Sequence, residues 1–197
     1  MHFTTIRIIF VIRIVINMKS KEFSKPTLLD YAILGLIQDQ PLSGYAIRKL
    51  FKETALGNYS SSPGTIYPAL NRLQKFELVK KNAQVKTGKT CFEITTNGIL
   101  TLKNWFLKPV EKIEVEKKTD ELLLRFGFME TLLDKNQRIN FLTSFQNLLN
   151  TYNKELQAFY NKESNNMPLH GRLAFQFGID SNKTTLKWCK KAISQLK

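Results

Sequence analysis

Thr65, Asn71, Arg72 and Lys75 fall within the stretch SSSPGTIYPALNRLQKFELVKK, residues 60–81. At helical spacing they lie on the side opposite an apolar stripe of Ile66, Ala69, Leu70 and Leu73. A hydroxyl, an amide and two cations displayed by one stiff rod are groups that meet base edges and phosphate oxygens. Shortly downstream, Lys80, Lys86 and Lys89 sit on a predicted hairpin whose tip, VKTGK, centres on Gly88. Cations there add phosphate contacts that release counterions.

Other chemistry finds little support. The two histidines, His2 and His170, stand beside no Ser, Cys or Asp arrangement suited to nucleophilic catalysis. Cys91 and Cys189 are far apart and lack CxxC spacing, so they read as free buried thiols of a reducing compartment. Neither GxGxxG nor GxxxxGK[ST] occurs. The expectation is a non-enzymatic chain with no catalytic residues, no cofactor and no metal.

Charge points the same way. With 30 Lys/Arg against 16 Asp/Glu, the 197 residues carry a formal net charge of +14. Such a surface suits a polyanion partner. Through Lys108 there are 16 Lys/Arg and 6 Asp/Glu, and from Val110 there are 14 and 10, so the excess lies in the first half. The segment MHFTTIRIIFVIRIVINMKSKEF is interrupted by Arg7 and Arg13 and is too short between them for a span of about 20 apolar residues. We read residues 1–17 as a non-native or disordered extension upstream of a start at Met18. A weak membrane-surface anchor and an added strand are the alternatives.

The elements that must position the cations follow from periodicity. TLLDYAILGLIQ, residues 27–38, predicts a buried helix, and Ser43 caps a second one with stripe Ile47, Leu50 and Phe51, onto which Leu42 is placed to staple. The third helix is the one bearing Thr65. Because Pro68 is tolerated only in a first turn, Thr65 is preferred over Ser62 as its effective cap. The hairpin comes next, VKKNAQ and TCFEIT, then a helix capped by Thr95 or Thr96 and ended by Pro109. Three helices followed by a hairpin are the parts of a winged helix-turn-helix. The predicted fold class is mainly α: a winged helix-turn-helix over 18–110 and an all-helical dimerisation region over 111–197.

In that second region VEKIEVEKKTD reads as a charged connector, and ELLLRFGFMETLL as a helix buried on every side. Residues 137–164 predict a long helix with a seam of Leu142, Phe145, Leu149, Tyr152, Leu156 and Phe159. After a break near Gly178 to Asn182, Leu186, Cys189, Ile193 and Leu196 repeat that alternation, with Trp188 beside them. Such seams serve either an internal bundle or a dimer. The dimer is favoured, because paired half-sites one duplex turn apart raise affinity and specificity together.

The segments LLDYAILGLI, PLSGYAIRKL, GTIYPALNRLQKFELVKK and TCFEITTNGILTLKNWFLKP resemble the PadR family of bacterial transcriptional regulators. The match is good over residues 28–109 and looser beyond. The resemblance implies a cytoplasmic, dimeric winged helix-turn-helix protein, usually a repressor, with carboxy-terminal helices forming the dimer and a small-molecule effector as a candidate partner. It carries groove or phosphate contacts onto Tyr45, Thr65, Tyr67 and Arg72, and the wing onto Lys86 and Lys89. Tyr45 and Tyr67 fit packing between helices equally well. The wing tip KTGKT lacks an arginine cluster. The expected function is thus a sequence-specific DNA-binding regulator on a palindromic operator, without stable membrane association. The alternative is a basic adaptor for RNA or an anionic membrane surface.

Overall fold

The computed structural model describes residues 25–54, 62–83 and 90–197. The expectations for residues 1–17 and for Lys86 and Lys89 lie outside them. The first helix, α1 (Leu28–Leu36), begins in a capping box: Asp30 N–H donates to Thr27 Oγ1, and the Asp30 carboxylate accepts from the Thr27 backbone N–H. β1 (Leu42–Ser43) leads directly into α2 (Gly44–Glu53), whose cap is Ser43, with Ala46 N–H donating to its Oγ at 3.1 Å. Leu42, expected to staple this helix, packs against the core that includes Ile47, and its backbone also pairs with Phe92, adding a strand that two residues of sequence could not announce.

α3 (Pro63–Lys75) starts one turn earlier than expected, with Ser62 rather than Thr65 at the cap. Thr65 N–H and Ile66 N–H both donate to Ser62 O at 3.1 Å, so the backbone bonds of the first turn are already made there. Pro68 therefore sits inside the helix, on its exposed side, where its missing N–H leaves Gly64 O without its usual helical donor. The helix ends in a Schellman turn: Leu78 N–H donates to Leu73 O and Glu77 N–H to Gln74 O, with Glu77 in the left-handed region at φ 57°. β2 (Val79–Ala83) and β3 (Thr90–Ile94) pair antiparallel, and the sheet order is β1-β3-β2.

α4 (Thr96–Leu107) is capped by Thr95, which accepts from Gly98 N–H at 3.0 Å and donates to Glu77 O at 2.7 Å. Gly98 is required by proximity, since a Cβ there would lie 2.2 Å from Leu78 O. Trp105 of α4 stacks on Tyr31 of α1 at 4.5 Å with the rings 6° from parallel. The Tyr31 hydroxyl pKa is raised, mainly by burial and secondarily by the neighbouring Asp30 charge.

The expected connector is instead helical over α5 (Lys112–Lys117), opened by a Glu111–Glu114 capping box. Its length of charged residues hid a local start signal of the kind found at Thr27. α6 (Thr119–Gly127) buries Leu122, Leu124 and Arg125 but leaves Leu123 exposed, so it is not buried on every side as expected. α7 (Lys135–Glu163) and α8 (Leu169–Leu196) run antiparallel, joined by a short 3-10 turn at Ser164–Asn166. Phe159 and Tyr160 meet Phe175 at one end, and Lys135 Nζ donates to Lys197 O at the other. The expected break near Gly178 to Asn182 is absent. One glycine costs a helix only about 1 kcal/mol, and the polar side chains that follow bond within the turn, Thr184 Oγ1 to Asp180 O at 3.0 Å among them.

The seams are largely used up inside one chain. Leu142, Phe145, Leu149 and Cys189 are buried, and Tyr152, Leu186, Trp188, Ile193 and Leu196 are half-buried against the same core, which runs continuously from α1 to α8. Trp188 meets Phe126 of α6 edge-on at 5.6 Å. Leu156 is half-buried as well, and Phe159 is exposed. A heptad seam records only that a helix has a partner; here α8 and α5 are the main partners of α7, with Phe126 of α6 stacked on Phe141.

Candidate nucleic-acid interface

Successive residues of α3 are offset by about 100° around its axis. Ile66, Ala69, Leu70 and Leu73 are fully buried, which sets the opposite face on Gly64, Pro68, Asn71 and Lys75, all exposed. Thr65 and Arg72 flank that face on one side and Tyr67 on the other. Asn71 and Lys75 thus stand where the sequence predicted, at the centre of the outward face. The Thr65 hydroxyl is exposed but turns back on the helix start, donating to Ser62 O at 2.9 Å.

Arg72 does something other than what was expected of it. Its Nε donates to Asp30 Oδ2 at 2.9 Å and its Nη2 to Asp30 Oδ1 at 2.6 Å, a two-point fork on a carboxylate that is itself fully buried. Nη2 also donates to Thr27 Oγ1 at 3.3 Å. The side chain is a strut between α3 and the capping box of α1 rather than a cation of the outward face. The signal in the sequence was Thr27-x-x-Asp30, a box whose acid is left with lone pairs to spend, but its partner lies 42 residues away.

Tyr67 packs the far edge of its ring, hydroxyl included, against the start of α2 while staying partly open to solvent. Its ring seats on Gly44 so closely that a Cβ on residue 44 would come within 2.7 Å of Tyr67 Cε1, while the residue as a whole remains 43% exposed. Tyr45, 67% exposed, stands free of the core at the start of α2. Lys80 is exposed, yet its Nζ is 3.2 Å from Glu93 Oε1, the residue opposite it in the hairpin register. The Glu93 carboxyl is held below the usual range, first by the Asn82 amide at 3.0 Å and then by Lys80. Lys80 therefore brings less uncompensated charge to the hairpin than its sequence position suggested. Lys81, also exposed on β2, was passed over by the sequence analysis.

A three-helix unit whose third helix is packed along one face and bare along the other, closed by a small antiparallel sheet, is a winged helix-turn-helix. Residues 33–104 match the family described as the transcriptional regulator PadR-like family. The chain is similar to the negative transcriptional regulator PadR of Bacillus subtilis, with 28% identity over 179 residues, 85% of this chain and 97% of that protein. It is also similar to the transcriptional regulator YqjI of Escherichia coli, with 30% identity over 87 residues, 44% of this chain and 40% of the other. Among solved structures, Bacillus subtilis PadR in complex with operator DNA aligns with 24% identity over 87% of this chain and 100% of that one, at a TM-score of 0.39. No described helix is long and apolar enough to cross a membrane.

Proposed function

We propose that this chain is a cytoplasmic repressor that binds a palindromic operator as a homodimer, with α3 of each copy in the major groove. Residues 18–110 form the DNA-reading unit and residues 111–197 the helical region that joins two copies. The observation that carries this is the bare face of α3, with an amide and a cation, Asn71 and Lys75, at its centre and every apolar residue of its stripe buried behind it. Thr65 flanks that face, Tyr45 offers an exposed ring at the start of α2, and the hairpin, with Lys80, Lys86 and Lys89, grips phosphates beside the groove. The kinship with a negative regulator matched over nearly its whole length supports repression.

The dimer surface belongs at the far end of the α7–α8 pair. There Phe159, Leu169, Leu173 and Phe177 are all exposed, the last at 74%, whereas the inner seam is already occupied. A small-molecule effector would act by changing the angle between the two reading units. A cleft of about 200 Å3 between the end of α4 and α7, lined by Phe106, Pro109, Phe141 and Ser144, lies at the joint where such a change would begin.

The test is a competition titration of the purified protein on DNA from upstream of its own gene. Retention of that duplex against excess unrelated duplex, with affinity falling steeply as salt rises, is the expected result. Equal binding to any duplex, RNA or anionic vesicle overturns it in favour of a basic adaptor. Sedimentation of the free protein as a monomer at micromolar concentration contradicts the dimer.

A further inference from the structure

Two contacts hold α3 from opposite flanks. Arg72 and Tyr67 are five residues apart and therefore about 140° apart around the helix. Arg72 is forked onto Asp30 of α1, and Tyr67 is seated on Gly44 at the start of α2. The four apolar residues between them resist withdrawal of the helix, but side chains that pack by shape alone permit a helix to roll or slide by fractions of a turn. Directional bonds do not.

The Asp30 end is itself rigid. Its Oδ2 accepts from Thr27 N–H at 2.7 Å, Thr27 Oγ1 at 2.9 Å and Arg72 Nε at 2.9 Å, while Oδ1 accepts from Arg72 Nη2 at 2.6 Å. A fully buried carboxylate with four donors has one orientation. The same acid that caps α1 thus becomes the post to which the groove-facing helix is tied.

We infer that Asp30 and Arg72 are a positioning pair for DNA recognition: they set the roll of α3 about its axis, and so the aim of Asn71 and Lys75, without touching DNA. This rests on the proposed function above. Its distinguishing consequence is that a buried acid controls sequence preference. Asp30→Asn keeps the shape and removes one negative charge from the protein, which by electrostatics alone favours binding to any duplex. With the fork lost, Asn71 and Lys75 no longer hold their aim, and preference falls nonetheless.

The experiment uses the full chain as wild type, Asp30→Asn and Arg72→Lys, each first shown to unfold cooperatively well above the assay temperature. Lysine keeps the charge of Arg72 but cannot fork, so it supplies the milder variant if Asp30→Asn does not fold. Two readouts are taken. In the free protein, hydrogen exchange of the α3 amides is expected to speed up in the variants while that of α7 and α8 is unchanged; equal exchange in all three proteins overturns the inference whether or not DNA is bound. On DNA, the ratio of affinities for the upstream duplex and a scrambled duplex is expected to fall about tenfold, the weight of one lost base contact, with the salt slope unchanged. An unchanged ratio, or an equal loss on both duplexes, overturns the inference. Wild type without preference for its own DNA sinks the functional proposal instead, and leaves the exchange result to decide this one.

Discussion

The ring of Phe128 occupies the place where a side chain on Gly35 would stand: a Cβ at residue 35 would lie 2.5 Å from Phe128 Cγ. The contact ties the middle of α1 to the segment after α6, and Gln38 Nε2 reinforces it by donating to Phe128 O at 3.1 Å. Gly35→Ala gains about 1 kcal/mol of helix propensity, but overpacking at the root of a ring costs about 1–3 kcal/mol. The variant is expected to be less stable by about 1 kcal/mol in urea unfolding. In a Phe128→Ala background the same change is expected to stabilise. The sign reversal is the diagnostic result, and its absence would show that the ring moves aside freely.

Glu77 closes α3 at φ 57°, a conformation that costs a side chain about 1 kcal/mol and glycine almost nothing. Its carboxylate also faces the negative end of the helix dipole. Glu77→Gly is therefore expected to raise Tm by about 3 °C, as read by circular dichroism. A lower Tm would mean that the Glu77 side chain stabilises the turn.

Arg125, only 1% exposed, donates through Nη2 to Lys108 O, lies 3.6 Å from Glu114 Oε1 and covers the Phe141 ring with its guanidinium carbon 4.6 Å from the centroid. Burial lowers its pKa and Glu114 partly restores it. Its Nε finds no hydrogen-bond partner. Removing one side of a buried pair costs about 3–5 kcal/mol, whereas an apolar replacement of similar length recovers packing. Arg125→Ala is expected to lose about 3 kcal/mol in chemical denaturation, and Arg125→Met less than half as much. Equal losses would show that the charge and its bonds, not packing over Phe141, are what Arg125 supplies.

Cys189 is fully buried in the last third of α8, where burial pushes its thiol from 9.0 up to about 11. An acid whose folded pKa is raised contributes stability that is intact below the unfolded value and is lost as pH rises through the folded one. Between pH 9 and 11 the Cys189→Ser variant is therefore expected to show a flatter loss of stability than wild type. At pH 8 a thiol reagent is expected to modify neither Cys189 nor the buried Cys91 until the protein unfolds. Rapid native labelling of Cys189 would contradict its placement.

What could be seen in advance follows the range of each signal. The stripes at Ile33 and Ile37, at Ile47 and Phe51 and at Ile66 to Leu73 announced helices because periodicity and caps are local, and all of these residues are buried. The two hairpin strands and a cap at Thr95 or Thr96 were visible for the same reason, while the register and the choice of Thr95 came with the fold. β1 was not, because two residues carry no alternation and Leu42 is a strand only through Phe92. The bond from Arg72 to Asp30 joins helices 42 residues apart, so a cation on the edge of a groove-facing helix looked like a ligand for phosphate. Residues 142–159 and 186–196 showed that α7 and α8 needed partners, but a seam has no mark for whether its partner is the same chain. The folded chain spends most of it internally, while Phe159, Leu169, Leu173 and Phe177 of α7 and α8 stay exposed.

The central claim is that two copies of α3 address one duplex. Hydroxyl-radical footprinting of the upstream DNA measures this directly. Two protected patches with centres about 34 Å apart, related by a two-fold axis in the sequence, are the predicted result. A single patch, or even protection along the whole fragment, would contradict it.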